Sequence, residues 1–338
     1  MVAANRHPTL HDVARLANVS HQTVSRVINN SPNVADDTRE RVLEAIRILD
    51  YHPNRAARSL ITGRSQTLYL VHLNPRFLTP LPAIIQHADS HGYRVGLSMI
   101  KEPVSREELQ GLLNEVSSRI VDGFLFIDPQ GIYTAEELNR FCRGVPYIQL
   151  GGEPVDHVPA VLFDQEQGMR AVLRHLAQLG HHKIAEISGL MVNYDARMRH
   201  RAVEAIAGEY GLELVAWLEG DFTVPSGYRL TRQLLQKNGK RFTALICGND
   251  LMALGALRAI HECGYRVPND ISVVGFDDEL ISSFFEPPLT TVKQDYDEQA
   301  QIGIEYLINR IDKKDFTIEH KRISPQLIIR SSTSKANG

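Results

Sequence analysis

Between residues 67 and 276 the chain alternates short apolar runs with segments of helical periodicity. The runs fall at 68–73, 95–99, 123–127 and 147–150, and then at 161–163, 184–188, 214–218, 244–247 and 272–276. Amphipathic stretches at 83–91, 106–119, 135–142, 165–179, 197–210, 226–236 and 250–263 separate them. Strands this short and this apolar need cover on both faces, and intervening helices supply it only when the strands run parallel. The two series predict two α/β lobes. Ligands of open α/β sheets bind beyond the carboxyl ends of the strands, so the space between the lobes is the expected pocket.

The first 62 residues follow a different rule. Thr9 precedes Leu10, Val13, Ala14, Leu16 and Ala17, and Asp12 stands three residues after it, the pattern of a capped helix start. Asn18-Val19 breaks the run, asparagine being suited to a left-handed turn, and Ser20 caps a second helix. Val24, Val27 and Ile28 make its buried stripe, leaving His21, Gln22, Ser25, Arg26 and Asn29 outside it. A helix-turn-helix presents the start of its second helix to base edges, where glutamine pairs with adenine and arginine with guanine. His21, Gln22 and Arg26 are the expected base readers, with Thr9, Ser20, Thr23, Ser25 and Asn29 completing the DNA-facing set. A third helix, 37–50, with Val42, Leu43, Ile46 and Leu49 as its apolar face, ends at Tyr51-His52-Pro53-Asn54, where proline forces the chain out of the helix. The basic segment 54–63 that follows is too short to be helical alone in water.

The segments Thr9–Asp12 and Val19–Asn29, the Tyr51-His52-Pro53-Asn54 break and the stretch Ala57–Leu60 together resemble the lactose/galactose repressor family of bacterial regulators, and the similarity runs to about Arg330. The resemblance implies an α/β protein with an all-α helix-turn-helix head (1–53), a hinge helix and linker (54–65) and a two-lobed, periplasmic-binding-protein-like body with parallel sheets (66–338). Three crossings between lobes are expected, near Asp164, 288–294 and His320, which divides the body into lobe 1 at 66–163 and 291–319 and lobe 2 at 164–290 and 320–332. In that family paired hinge helices enter the minor groove and a leucine wedges into the central base step. Leu60 holds that position, Ala57 lets the hinges approach, and Asn54, Arg55 and Arg58 are expected at the backbone or minor groove.

Polar residues at strand ends suit a sugar, whose hydroxyls are paired donors and acceptors. Arg199, Asn249 and Asp277 match the effector-binding positions of the family, and Asn74, Asp195 and Gln294 are further expected contacts. Phe163, Phe222 and Tyr296 are expected to cover the sugar ring, although the two phenylalanines also suit a core, and Asp250 suits a helix cap. His21 stands where a lactose-responsive member has tyrosine, Gly151 where it has aspartate and Leu251 where it has glutamine, so a related operator and a different effector are implied.

Residues 1–65, head and hinge together, hold 9 basic against 6 acidic residues and the remaining chain 28 against 34, so the overall charge of −3 conceals a positive N-terminal part. Phosphate contacts need that local charge and not a basic whole. Without an apolar leader or a span-length run, a cytoplasmic location and no membrane partner are expected. The 3 cysteines have no metal-ligand spacing and no even pairing. Neither a nucleophile with a base nor a phosphate loop is recognisable, so no enzyme, cofactor or metal is expected. No leucine heptad follows Arg330, which makes a homodimer on inverted-repeat operator DNA the expected assembly. The expected effector is a mono- or disaccharide that releases the operator. A corepressor-dependent regulator using a non-sugar or phosphorylated-sugar ligand stays open.

Overall fold

The computed structural model describes residues 8–28, 31–51, 64–72, 78–100, 105–118, 121–127, 133–238, 241–314 and 319–336, and the chain divides after Ser65 into two compact units. In the first unit α1 (Leu10–Ala17) begins with a capping box: Thr9 N–H donates to Asp12 Oδ2 at 2.9 Å and Asp12 N–H to Thr9 Oγ1 at 3.4 Å. It stops where Asn18 turns left-handed, at φ 54°. Ser20 Oγ then accepts from Thr23 N–H at 3.1 Å and opens α2 (His21–Ile28). Helix α3 (Asp36–Leu49) closes the unit. Val13, Val24 and Val42 are fully buried where the three helices meet, each contributing roughly 1.5 kcal/mol or more. The expected face of α3 needs one correction: Leu43 is 45% exposed, and Ala45 takes its place beside Val42.

The second unit carries two parallel sheets. The first contains β1 (Thr67–His72), β2 (Arg94–Met99), β3 (Gly123–Ile127), β4 (Tyr147–Leu150), β5 (Ala160–Phe163) and β11 (His320–Ile323), in the order β11-β5-β4-β3-β1-β2. The second contains β6 (Lys183–Ser188), β7 (Glu213–Glu219), β8 (Ala244–Cys247) and β9 (Ser272–Val274), in the order β7-β6-β8-β9. The antiparallel pair β10 (Thr291–Lys293) and β12 (Gln326–Ile328) is joined to the β9 edge by the bridges Val274–Thr290 and Asp277–Lys293. The run at 161–163 therefore closes the first series and does not open the second.

Two lobe boundaries differ from expectation. Residues 291–293 stay with the second lobe and the chain crosses at Gln294–Asp295. His320 begins the last strand of the first sheet, paired to β5, so the third crossing falls between Ile323 and Gln326. His-Lys-Arg-Ile buries only Ile323, and an edge strand with so little apolar content leaves no sequence signature. The first crossing follows Phe163 and enters α7 (Gln165–Gln178), whose Met169, Val172, Leu173 and Leu176 pack in the second lobe. Helix α11 (Tyr296–Ile311) returns to the first lobe, burying Ala300, Ile304 and Leu307 against Leu68, Leu125 and Ile148. All three crossings thus lie at the β5/β11 edge of one sheet and the β9/β10 edge of the other.

Candidate DNA-reading face and effector cleft

On α2, His21, Gln22 and Arg26 are exposed, while Thr23 and Ser25 are half-buried. His11 of α1 sets its ring 5.3 Å from that of His21, a neighbour the sequence reading did not supply. Thr9 and Ser20 are engaged as helix caps. No acidic residue lies in the first turn of α2, which leaves its amide end open to phosphate. Asn29, Asn54, Arg55, Ala57, Arg58 and Leu60 lie outside the described residues, as does Asn74.

Between the lobes is a cavity of about 1240 Å³, lined by Phe163, Asp195, Arg199, Phe222, Asn249, Asp277, Gln294 and Tyr296. The described residues predicted for the effector are thus brought to one cleft. Its hydrogen bonds close into a ring. Arg199, 6% exposed, donates from Nε to Gln165 Oε1 at 2.9 Å and from Nη1 to the Gly248 carbonyl at 2.6 Å, and approaches Asp277 Oδ1 with Nη2 at 3.5 Å. Gln165 Nε2 donates to Gln294 Oε1 at 3.0 Å, and Gln294 Nε2 donates to Asp277 Oδ1 at 2.8 Å and to the Tyr296 hydroxyl at 2.6 Å. The guanidinium also lies 3.7 Å above the Phe276 ring. Gln165 follows the first crossing and Gln294 sits at the second, so the ring holds the site together where the lobes are joined. Gln165 escaped the sequence reading; its one signal was a place directly after Asp164.

Burial governs the acids here. It pushes the Asp277 carboxyl up to about 7 against the pull of Arg199, and raises Asp195 too, again opposed by Arg199. Asp277 is held at φ 107°, a left-handed conformation that aims its side chain at Gln294. Burial likewise lifts the Tyr296 hydroxyl well above its usual range and keeps it a neutral donor. Asn249 is the cap of α10 (Asp250–Glu262): its Oδ1 accepts from Met252 N–H at 2.9 Å, and its amide donates to the Phe222 carbonyl at 3.1 Å. Asp250, expected as that cap, is instead fully buried and accepts from Thr291 Oγ1 and from Glu279 N–H, stapling α10 to β10. Phe163 both packs in the first-lobe core and faces the cleft edge-on to Tyr296, at 5.2 Å. Phe222 fits against the end of β6 because residue 189 is glycine; a Cβ there would meet its ring at 1.9 Å.

Among the described residues two contacts span the cleft directly. Arg197 Nη2 meets Glu153 Oε2 at 2.8 Å, and Thr79 Oγ1 donates to Glu279 Oε1 at 2.6 Å. Groups of this kind bind, order and exclude; the described residues of the cleft present hydrogen-bonding side chains held by rigid elements.

A helix-turn-helix unit on the same chain as a two-lobed, ligand-sized cleft defines a ligand-responsive DNA-binding regulator. Residues 9–54 match the model for bacterial regulatory proteins of the lacI family, and residues 173–333 that for a periplasmic binding protein-like domain. The chain is 35% identical to the HTH-type transcriptional repressor PurR of Mannheimia succiniciproducens, over 97% of this chain and 99% of that one, and 34% identical to the lactose operon repressor of Escherichia coli, over 97% and 91%. It superimposes on the lactose repressor dimer bound to operator and the anti-inducer ONPF with a TM-score of 0.85, at 33% identity, over 97% of this chain and all of the other. The regulator CelR in complex with cellobiose aligns at 0.68, with 31% identity, over 96% of this chain and 99% of that one. The chain belongs to the lacI family: it is a DNA-binding transcriptional repressor and not an enzyme. Among the described residues no helix is long and apolar enough to cross a membrane, and no cluster of side chains could hold a metal ion.

Proposed function

We propose that this repressor binds an inverted-repeat operator as a homodimer and is released when a neutral mono- or disaccharide occupies the inter-lobe cleft. The observation that carries the reading is the Arg199–Gln165–Gln294–Asp277 ring, which gathers donors and acceptors of the second lobe at the first and second crossings and leaves Asn249, Asp195 and Tyr296 facing the same space. A polyhydroxyl ligand uses such mixed groups, and the aromatic faces of Phe163 and Phe222 suit a sugar ring. A ligand shifts the equilibrium only by binding one lobe arrangement more tightly than the other. One that separates the hinge segments of two subunits withdraws the Leu60 wedges from the minor groove, while His21, Gln22 and Arg26 lose their register on the bases. The exposed apolar turn Leu280, Ile281 and Phe284 in the second lobe offers a surface that the partner copy would cover.

A corepressor reading has one observation in its favour, the similarity to purine repressors. Fluorescence anisotropy of the protein on its own upstream DNA, at fixed salt, separates the two. Release by a sugar supports induction. Tightening by a purine with no response to any sugar overturns the sugar reading.

A further inference from the structure

Helix α8 (Tyr194–Ile206) carries Asp195 and Arg199 to the cleft and packs on the second sheet through Ala202, Val203 and Ile206, beside Ile184 of β6 and Ile246 of β8. That layer is apolar except at one place. There β6 buries the carboxyl of Glu186, 1% exposed, and α8 meets it with His200, 5% exposed, whose Nδ1 lies 2.7 Å from Glu186 Oε2. Trp217 of β7 stands directly beside Glu186 in the strand register and lays its indole on the imidazole, with centroids 4.2 Å apart and planes at 18°. The indole N–H donates to Ser188 Oγ at 3.0 Å, and that hydroxyl donates to the carbonyl of Gly189, just past the end of β6. None of these four side chains lines the cleft.

A buried pair of this kind holds a fold together no better than two leucines, because its charges give up their hydration. What it adds is direction. Arg199 and His200 are consecutive, so their side chains leave α8 about 100° apart. Arg199 reaches Gln165 and the Gly248 carbonyl beyond β8 on one flank, and His200 reaches Glu186 and Trp217 of β6 and β7 on the other. A roll of α8 about its axis that apolar contacts would tolerate breaks both.

From this geometry we infer that His200 is a positioning residue for the effector cleft: its bond to Glu186, roofed by Trp217, sets the roll of α8 at which Arg199 and Asp195 face the site, and the setting depends on a proton held by the pair. The inference holds whatever the chemistry of the effector. The surrounding groups say which way pH acts. On α8, Glu204 brings Oε1 to 3.6 Å from His200 Nε2, Arg197 is paired with Glu153, and Arg201 is exposed. Strand β7 has Glu213 exposed at its start and Glu219 at its end, the latter accepting from Met191 N–H. Cys247 of β8 keeps its proton because burial raises its thiol. Helix α7 contributes Val172, Leu173 and Leu176 to this layer, while its Arg170 and His175 are engaged with Glu166, Glu209 and Thr333. The imidazole thus lies between two carboxylates. The bond to Glu186 raises His200 above its ordinary 6.5, and burial raises Glu186 as well. The clasp is therefore whole below about pH 6.5 and loosens as pH rises past it, when a carboxylate is left buried beside a neutral ring.

Trp217 is the one tryptophan of the chain, so its fluorescence reads the cluster itself. In the full-length protein the emission should be quenched while the stacked imidazole is protonated and recover through a transition above pH 6.5. Positioning is read at the Arg199 Nε–H, which donates to Gln165, by its hydrogen exchange in NMR relative to free arginine at the same pH. The double variant Glu186→Leu/His200→Leu should keep its denaturation midpoint, while its Arg199 Nε–H exchanges at least tenfold faster and its emission no longer titrates. Glu186→Gln keeps an acceptor without the charge, so the Nε–H should stay protected and the emission transition should move to lower pH. Leu173→Ala, a cavity in the same layer, controls for instability alone and should leave the Nε–H protected. Full protection in the double variant, an emission transition that survives there, or equal loss of protection in Leu173→Ala overturns the inference. A transition unmoved by Glu186→Gln overturns it too, whether or not the double variant folds.

Discussion

The two lobes share one architecture and divide the cleft unequally. The second lobe supplies Asp195, Arg199, Asn249 and Asp277, whose side chains are fixed by caps, a buried ring and a carbonyl. Among the described residues the first lobe offers mainly apolar surface, Met99, Ile127, Leu150 and Phe163, with Tyr296 at the crossing. On the proposed function the second lobe orients the ligand, while the first covers it and so reads its presence. Covering is the step that depends on lobe orientation, and hence the step through which occupancy can reach the DNA-binding unit.

The largest effect that would break this division is Arg199→Ala. It leaves Asp277 buried without its cation and opens the ring, so effector affinity should fall at least a hundredfold and stability by about 3–5 kcal/mol, read by calorimetry and chemical denaturation. An unchanged affinity would remove the second lobe from its orienting role. Next comes pH. The Asp277 carboxyl titrates near 7 when folded, against an ordinary value of 3.8, so the folded state holds its proton more tightly. The stability this proton contributes is full below about pH 4 and is lost as pH rises through 7. At about 1.4 kcal/mol per pKa unit the loss reaches about 3–4 kcal/mol, and Asp277→Asn should abolish that slope in melts recorded from pH 4 to 7.5. Equal slopes in the two proteins would place the titration elsewhere.

Smaller effects sharpen the role of the first lobe. Phe163→Leu keeps an apolar side chain but loses the edge-on contact with Tyr296, and should weaken effector binding about fivefold, or about 1 kcal/mol. If it weakened binding as much as Arg199→Ala, the two lobes would be equal partners. Smallest is Glu153→Gln, which cuts the cross-cleft pair with Arg197. Both side chains are partly exposed, so less than about 1 kcal/mol is at stake, and effector affinity should shift two- to threefold.

The helical unit and the α/β alternation were legible because they rest on local rules: a capping box at Thr9 and Asp12, a left-handed Asn18, and apolar runs that recur with helical segments between them. Arg199, Asn249 and Asp277 were legible as polar residues at strand ends, supported by the family pattern. What stayed hidden depends on juxtaposition. Gln165 has no local peculiarity, and its role exists only because positions 165, 199, 277 and 294 meet. Asn249 and Asp250 are both plausible caps in sequence, and only the buried hydroxyl of Thr291 decides which is which. Strand β11 was missed because three of its four side chains face solvent, and Leu43 was misplaced because the packed stripe is Val42, Ala45, Ile46 and Leu49, in which small Ala45 gives a weaker apolar signal than the Leu43 beside it.

On the proposed function cleft occupancy and operator binding are one equilibrium, and linkage gives it a direct measurement. The affinity of the effector, once identified by titration, is determined with the protein free and again with it saturated by operator DNA at the same salt. Operator should weaken effector binding by the same factor by which effector weakens operator binding. Equal effector affinities in the two states, alongside effector-driven release, would contradict it.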